Sequence, residues 1–227
     1  MKITWIGQAG LLIEGHGTKI MIDPYLSDSV VKYEPKNYRR VPVNEAFLSI
    51  VPDVMIFTHD HLDHYDPETA PVFLTRTEKH MTVLCPSSVW KKARQCGGGH
   101  NYVQFNRHTE WTEHGFRFTA VKAEHSDDFA IGVLVEDLRE RQIAYITGDT
   151  LYNTEIFEDL PPKIDVLLLP VNGVGNNMNM TDAARFAEKT GAKKVVPIHF
   201  GMFDELNPED FKCENRVIPE LWKEIQW

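Results

Sequence analysis

Short apolar runs separated by glycine and polar clusters dominate the chain, a pattern of strands more than of long helices. KITWIG, GLLIEG and TKIMID read as strands joined by Gly-containing turns. DVMIF is a compact apolar run of strand length, followed at once by Thr58. A helix is expected around APVFLTRTE. Asp66-Pro67 offers one start with Asp66 as the cap; a start near Thr69 would instead place Pro71 in the first turn, where it is tolerated. MTVLC and NYVQF read as strands flanking a helix, SSVWKKARQC, that Gly97 stops. FRFTAVKAEH alternates as a strand and ends on His125, and AIGVLVEDLRERQIAYITGD predicts a hairpin ending on Asp149. IDVLLLP is a further buried strand. Thr181 is the expected cap of the helix DAARFAEKTG, which Gly191 stops, and KKVVPIHF then runs as a strand to His199.

The order is strands, then alternating strand and helix, then strands, then strand-helix-strand. It predicts an α/β protein with two mixed β-sheets packed face to face and helices outside, a four-layer αββα sandwich. No linker, low-complexity segment or short repeat interrupts the pattern, so residues 1–227 are expected to form one domain.

Composition narrows the setting. The three cysteines, Cys85, Cys96 and Cys213, are an odd count without CxxC spacing, which points to structural thiols in a reducing compartment. MKITWIGQAG has too short an apolar run for a signal peptide, and VLLLPV is far below the ~20 residues of a membrane span. The expectation is a cytoplasmic protein with no membrane partner. The net charge of −9 argues against a nucleic-acid partner, which would need a basic face.

Chemistry concentrates at strand ends. THDHLDH follows one buried strand; His125, Asp149 and His199 each close another. In an extended chain His59, His61 and Asp63 share a face, and His64 enters as the chain turns. Neutral imidazoles and carboxylates are ligands for zinc, manganese and iron. A divalent cation also explains why carboxylates that raise one another's pKa would be gathered together. The simpler reading, a solvated helix start with incidental histidines, does not explain three more metal-type residues at strand tips.

The other candidates carry less. His16, His80, His100, His108 and His114 are isolated and read as surface or satisfied histidines, and Asp60 reads as a solvated charge. CGGGH reads as a loop. Asn172, Asn176 and Asn177 in VNGVGNNMNM either hydrogen-bond substrate or supply turn geometry. Lys32, Lys36, Arg39 and Arg40 read as surface charge, with receipt of a substrate phosphate as the alternative.

HxHxDH, a later His, GDT and PxHF resemble the metallo-β-lactamase-fold superfamily, from Ile3 to about Phe203. Within it, WIGQAGLLIE, IMIDPYLSDS, THDHLDHYDPET, KAEHS, TGDT and VVPIHF resemble the L-ascorbate-6-phosphate lactonase-like branch. The resemblance implies one metal on His59, His61 and His125, a second on Asp63, His64 and His199, and Asp149 between the two. It also implies that Asp23 orients a ligand, a role that fits the habit of metal-bound imidazoles of donating to a carboxylate. The plain alternative is a turn aspartate before Pro24.

Together these imply a metal-dependent hydrolase with one or two divalent ions, zinc or manganese before iron. A metal-bound hydroxide would attack a lactone or other ester, such as a sugar-acid phosphate lactone. Asp63 would hold the second metal or, with a single ion, accept the nucleophile's proton. No GxSxG elbow supports a serine nucleophile. Three alternatives stay open: a phosphodiesterase of the same fold, a non-catalytic metal-stabilised module, and a redox di-iron protein, the last opposed by His61 where that branch typically carries a glutamate. The expected partner is an anionic small molecule; a homo-oligomer is left open.

Overall fold

The computed structural model describes residues 1–227 and holds two six-stranded sheets. The first has strands β1 (Lys2–Gly7), β2 (Gly10–Gly15), β3 (Thr18–Ile22), β4 (Val54–Ile56), β5 (Thr82–Cys85) and β6 (Asn101–Gln104), adjacent in that order. The second runs, from edge to edge, β12 (Lys194–Ile198), β11 (Val166–Pro170), β10 (Gln142–Ile146), β9 (Ile131–Asp137), β8 (Phe116–Lys122) and β7 (Glu110–Glu113). Each sheet is mixed. Strands β1 to β3 pair antiparallel and β3 to β6 parallel. Strands β7 to β10 pair antiparallel and β10 to β12 parallel.

Period-two alternation builds the layers. Ile20 and Ile22 of β3 enter the core between the sheets, where they join Ile56, Phe118, Val133 and Leu168. Met21 between them faces the other way and packs with Phe73, Leu74, Val89 and Ala93 of α1 (Thr69–Leu74) and α2 (Ser87–Gln95). On the far side, α3 (Met180–Thr190) buries Ala183, Phe186 and Ala187 against the second sheet, with the Phe186 ring 6.3 Å from that of Tyr145. This is the expected four-layer sandwich.

Three local readings are refined. Helix α1 takes the later start, at Thr69, and Pro71 falls in its first turn. The cap of α3 is Asn179, not Thr181: Asn179 accepts the N–H groups of Thr181 and Asp182, so Thr181 lies inside the helix. Strand β7 was not anticipated, because EWTE alternates for only four residues amid polar sequence. No helix is long and apolar enough to cross a membrane.

Strand direction decides where function can sit. Strands β3 and β4 run parallel, and β8, β10, β11 and β12 share one direction because two antiparallel steps separate β8 from β10. Their C-terminal ends carry Asp23, His59, His125, Asp149, Asn172 and His199, in loops where functional groups collect beyond strand ends.

Candidate metal centre

Seven side chains from four strand ends converge in two groups. His59, His61 and His125 form one, with ring centroids 4.6 to 4.7 Å apart in each pair. Nε2 of His125 lies 3.1 Å from Nδ1 of His61. Asp63, His64 and His199 form the other: Nε2 of His199 is 3.3 Å from both Asp63 Oδ2 and His64 Nε2. Asp149 Oδ1 stands 3.2 Å from Nε2 of both His64 and His199.

These atoms fit a metal better than they fit one another. Two ligand atoms on one tetrahedral ion, each ~2.0–2.1 Å from it, are ~3.3–3.4 Å apart. The observed 3.1 to 3.3 Å spacings match that geometry. His59 Nε2 and Asp149 Oδ1 are buried and make no hydrogen bond, which is costly unless another partner is supplied. His59 and His64 are fully buried; Asp149 and His199 are nearly so.

Hydrogen bonds orient most of the candidate ligands. Asp23 accepts the Thr58 N–H on Oδ1 and, on Oδ2, the Thr58 hydroxyl and His64 Nδ1. That turns Nε2 of His64 inward. It also gives both oxygens of Asp23 a partner, the arrangement of a carboxylate that orients an imidazole, although Asp23 with His59 and His64 forms a third group close enough to hold an ion. The Thr58 hydroxyl, having donated to Asp23, accepts from His59 Nδ1 at 3.0 Å and leaves His59 Nε2 free. His125 Nδ1 donates to the Asn176 carbonyl at 3.2 Å. Asn177 donates to Asp149 Oδ2 at 2.7 Å, and the Asn172 amide lies 2.9 Å from His199 Nδ1. The three asparagines therefore hold the cluster.

The electrostatics divide the cluster in two. Burial, then neighbouring imidazoles, keep His59 well below the usual histidine range, and burial lowers His125, so both stay neutral. In the other half burial also opposes charge, but carboxylates outweigh it. Asp149, Asp23 and Asp63 hold His64 well up, and Asp149 and Asp63 raise His199 to about 9. The paired imidazoles in turn hold Asp149 and Asp63 down against burial. Protons on His64 and His199 thus supply the positive charge that a cation would supply.

Gln8 was not singled out from sequence. It is buried in the turn between β1 and β2, donates from Nε2 to Asp63 Oδ2 at 2.8 Å, and accepts the His199 N–H on its carbonyl. Its φ is +51°, His199 has +62° and Asp23 +42°, a conformation that non-glycine residues seldom adopt. A side chain in a glycine-flanked turn looks like turn chemistry, so the string GQAG gave no signal.

The centre floors a cleft of about 390 Å3 whose walls include Val30, Glu34, Asn37, Leu62, Val174 and Phe203. Two larger hollows, about 610 and 580 Å3, gather none of these ligands. The basic segment does not line the cleft. Lys32 pairs with Glu68, Arg40 with Glu205, and Arg39 donates to the carbonyls of Tyr25 and Val41. Asp60 sits on the rim and pairs with Lys92 at 2.5 Å. His16 pairs with Asp137, His108 with Asp159, and His80 with the Gly99 carbonyl, all away from the cluster.

Residues 18–200 match the beta-lactamase superfamily domain. The chain belongs to that family. A UPF0173 protein of Pyrococcus furiosus is 32% identical over 94% of this chain and 90% of its own, which places the chain in UPF0173 as well. A UPF0173 metal-dependent hydrolase of Methanopyrus kandleri is 27% identical over 100% of this chain and 95% of its own. Among solved structures, that of a possible metal-dependent hydrolase from Veillonella parvula superposes with a TM-score of 0.80 at 18% identity, covering 100% of this chain and 99% of that one. It shows the shared fold of this superfamily. The His and Asp groups are candidate metal sites within it.

Proposed function

We propose that this UPF0173 chain is a metal-dependent hydrolase acting on a lactone or other carboxylic ester. The observation that carries the reading is the pair of ligand groups, with the Asp149 carboxylate beside His64 and His199, on the floor of an accessible cleft. His59, His61 and His125 would hold one divalent ion; Asp63, His64 and His199 would hold a second, with Asp149 shared between them. Zinc and manganese suit this mixed imidazole and carboxylate set, and iron also fits. A bound ion would supply Lewis acidity and lower the pKa of a coordinated water toward ~7.

The chain's own groups do the rest. Asp23, Thr58 and the Asn176 carbonyl engage Nδ1 of His64, His59 and His125, so that Nε2 of each faces inward, where an ion would take the place of the proton that His64 carries. Asp63 receives Gln8 on Oδ2, and no protein donor reaches Oδ1; were a single ion bound, on the three histidines, that oxygen would be left to accept a proton. The name of the Methanopyrus relative supports hydrolysis. The motif resemblance supports a carbohydrate-derived lactone, although no lysine or arginine of the cleft wall is there to receive a phosphate. A cytoplasmic location belongs to the same proposal and is supported by three unpaired thiols.

The test is elemental analysis of mildly purified protein, then a panel of lactones, phosphoesters and thioesters with the native metal restored. Metal-dependent turnover of lactones or esters supports the reading. Protein that takes up neither zinc nor manganese refutes the site; preferential turnover of phosphodiesters moves the chemistry to phosphorus.

A further inference from the structure

The cleft wall constrains the part of the substrate that does not react. Apart from the candidate ligands, its charged residues are Glu34 and Asp60, and no lysine or arginine lines it. Asp60 is neutralised by Lys92 at 2.5 Å. Glu34 makes no ion pair. The four basic side chains nearest in sequence are directed elsewhere or remain outside the lining: Lys32 on Glu68, Arg39 on main-chain carbonyls, Arg40 on Glu205, Lys36 outside.

Glu34 is held in place. Its N–H donates to the Val30 carbonyl at 2.8 Å, its own carbonyl accepts the Asn37 N–H at 2.8 Å, and the Asn37 side chain donates to its carboxylate at 2.5 Å. The remaining wall is uncharged: Asn37, Asn176 and the Ser126 hydroxyl beside Val30, Leu62, Val174 and Phe203. Glu34 is solvent-exposed, so a phosphate or carboxylate tail entering here would stay partly hydrated, but it would meet a negative charge and no cationic side chain. A hydroxyl or ammonium group would find an acceptor.

We propose that the cleft selects a lactone or ester whose tail carries hydroxyl or ammonium donors and no phosphate or carboxylate, with Glu34 as the residue that sets this preference. The inference rests on the metal-cleft reading of the site. It departs from the sugar-acid phosphate that the sequence resemblance implies.

Hydroxamic acids provide the test, because they bind divalent ions whether or not any ester is hydrolysed. Three of matched length, ending in carboxylate, hydroxyl or ammonium, are titrated into the zinc-loaded full chain by calorimetry at low salt. The hydroxyl and ammonium probes should bind at least ~10-fold more tightly than the carboxylate probe, a difference expected of one partly solvated charge nearby. Glu34→Gln should shrink the gap between ammonium and carboxylate, and Glu34→Lys should reverse it. Equal or tighter binding of the carboxylate probe to the unaltered chain overturns the proposal. So does an unchanged order in Glu34→Lys, or failure of every probe to bind. The expected order combined with no turnover of any ester would instead refute the hydrolase reading and leave the charge preference standing.

Discussion

Asp23 lies 2.7 Å from Nδ1 of His64, across 41 residues of sequence, and the same carboxylate holds Thr58 beside His59. One residue just beyond β3 thus contacts a histidine of one ligand group directly and, through Thr58, a histidine of the other. Asp23→Asn keeps the shape but replaces one acceptor oxygen with a donor. Metal affinity should fall by ~10–100-fold, the usual cost of disturbing such a support. Competition titration with a zinc chelator measures it, and unchanged affinity at both sites would assign Asp23 to the turn alone.

Asp149→Asn should do more damage. The variant loses the charge that His64 and His199 share, and the second ion should be lost first, with ester turnover down by at least ~100-fold. Circular dichroism should stay native, because β10 and β11 bury their own apolar faces. Asp60→Asn is the control from the histidine-rich loop after β4, since Asp60 pairs with Lys92 on the rim. Metal stoichiometry and turnover are compared for both variants. Should Asp60→Asn prove the more harmful, the ligand assignment is wrong.

Gln8→Gly isolates an amide from a backbone. Glycine accepts the positive φ at this turn without strain and keeps the main-chain carbonyl that takes the His199 N–H, so the substitution removes the side-chain contacts to Asp63 and to the His199 ring. Affinity at the Asp63, His64 and His199 group should drop by roughly 10-fold or more, while the three-histidine group keeps its ion. Cobalt substitution followed by visible absorption distinguishes the two sites. Equal weakening of both would point to a general loosening of the fold.

Asp159 predicts a pH dependence away from the centre. Its side chain is 5% exposed and takes Arg107, the Lys122 N–H and His108. Burial alone would raise its pKa; these partners outweigh burial and bring it from 3.8 to about 2. The folded value lies below the unfolded one, so the stabilisation is complete above the unfolded value and fades as pH falls toward the folded one. After allowance for solvent around the half-exposed Arg107, the contribution is about 1–2 kcal/mol. Urea unfolding of metal-free protein should show the gap between wild type and Asp159→Asn narrowing between about pH 5 and about pH 2. A gap that does not change with pH would show that the ion pairs contribute nothing.

The cap of α3 gives a direct comparison. Asn179→Ala should cost about 1 kcal/mol, and Thr181→Ala about half of that or less, because Asn179 takes both free N–H groups. Thermal unfolding measures the order, and the reverse order would restore Thr181 as the cap.

The strands and the tips that carry the candidate ligands were legible because period-two alternation and chain direction are local, and each of these residues follows an apolar run. The choice of Thr181 over Asn179 failed because two good capping residues stand two positions apart, and composition does not say which one has extended backbone. The pairing of β1 through β6 in chain order has no periodic signature. Gln8, Glu34 and Asn37 were missed for a related reason. They sit in turns where polar residues are the default, and only the return of distant strands places Gln8 on Asp63 and Glu34 at the cleft. The basic run at 32 to 40 was visible but its direction was not.

Each ligand group takes two side chains from the loop after β4 and one from the second sheet: His125 in one case, His199 in the other. His61 and His125 are 64 residues apart, and His64 and His199 are 135. An ion in either place would therefore act as a removable clasp across the seam between the two halves of the sandwich. Like any cross-link between distant residues, it would restrict the unfolded chain as well as tie the folded one. Chelation would then loosen the rim where the sheets meet before it touched the interior, and the mouth of the cleft would be the first part of the molecule to breathe.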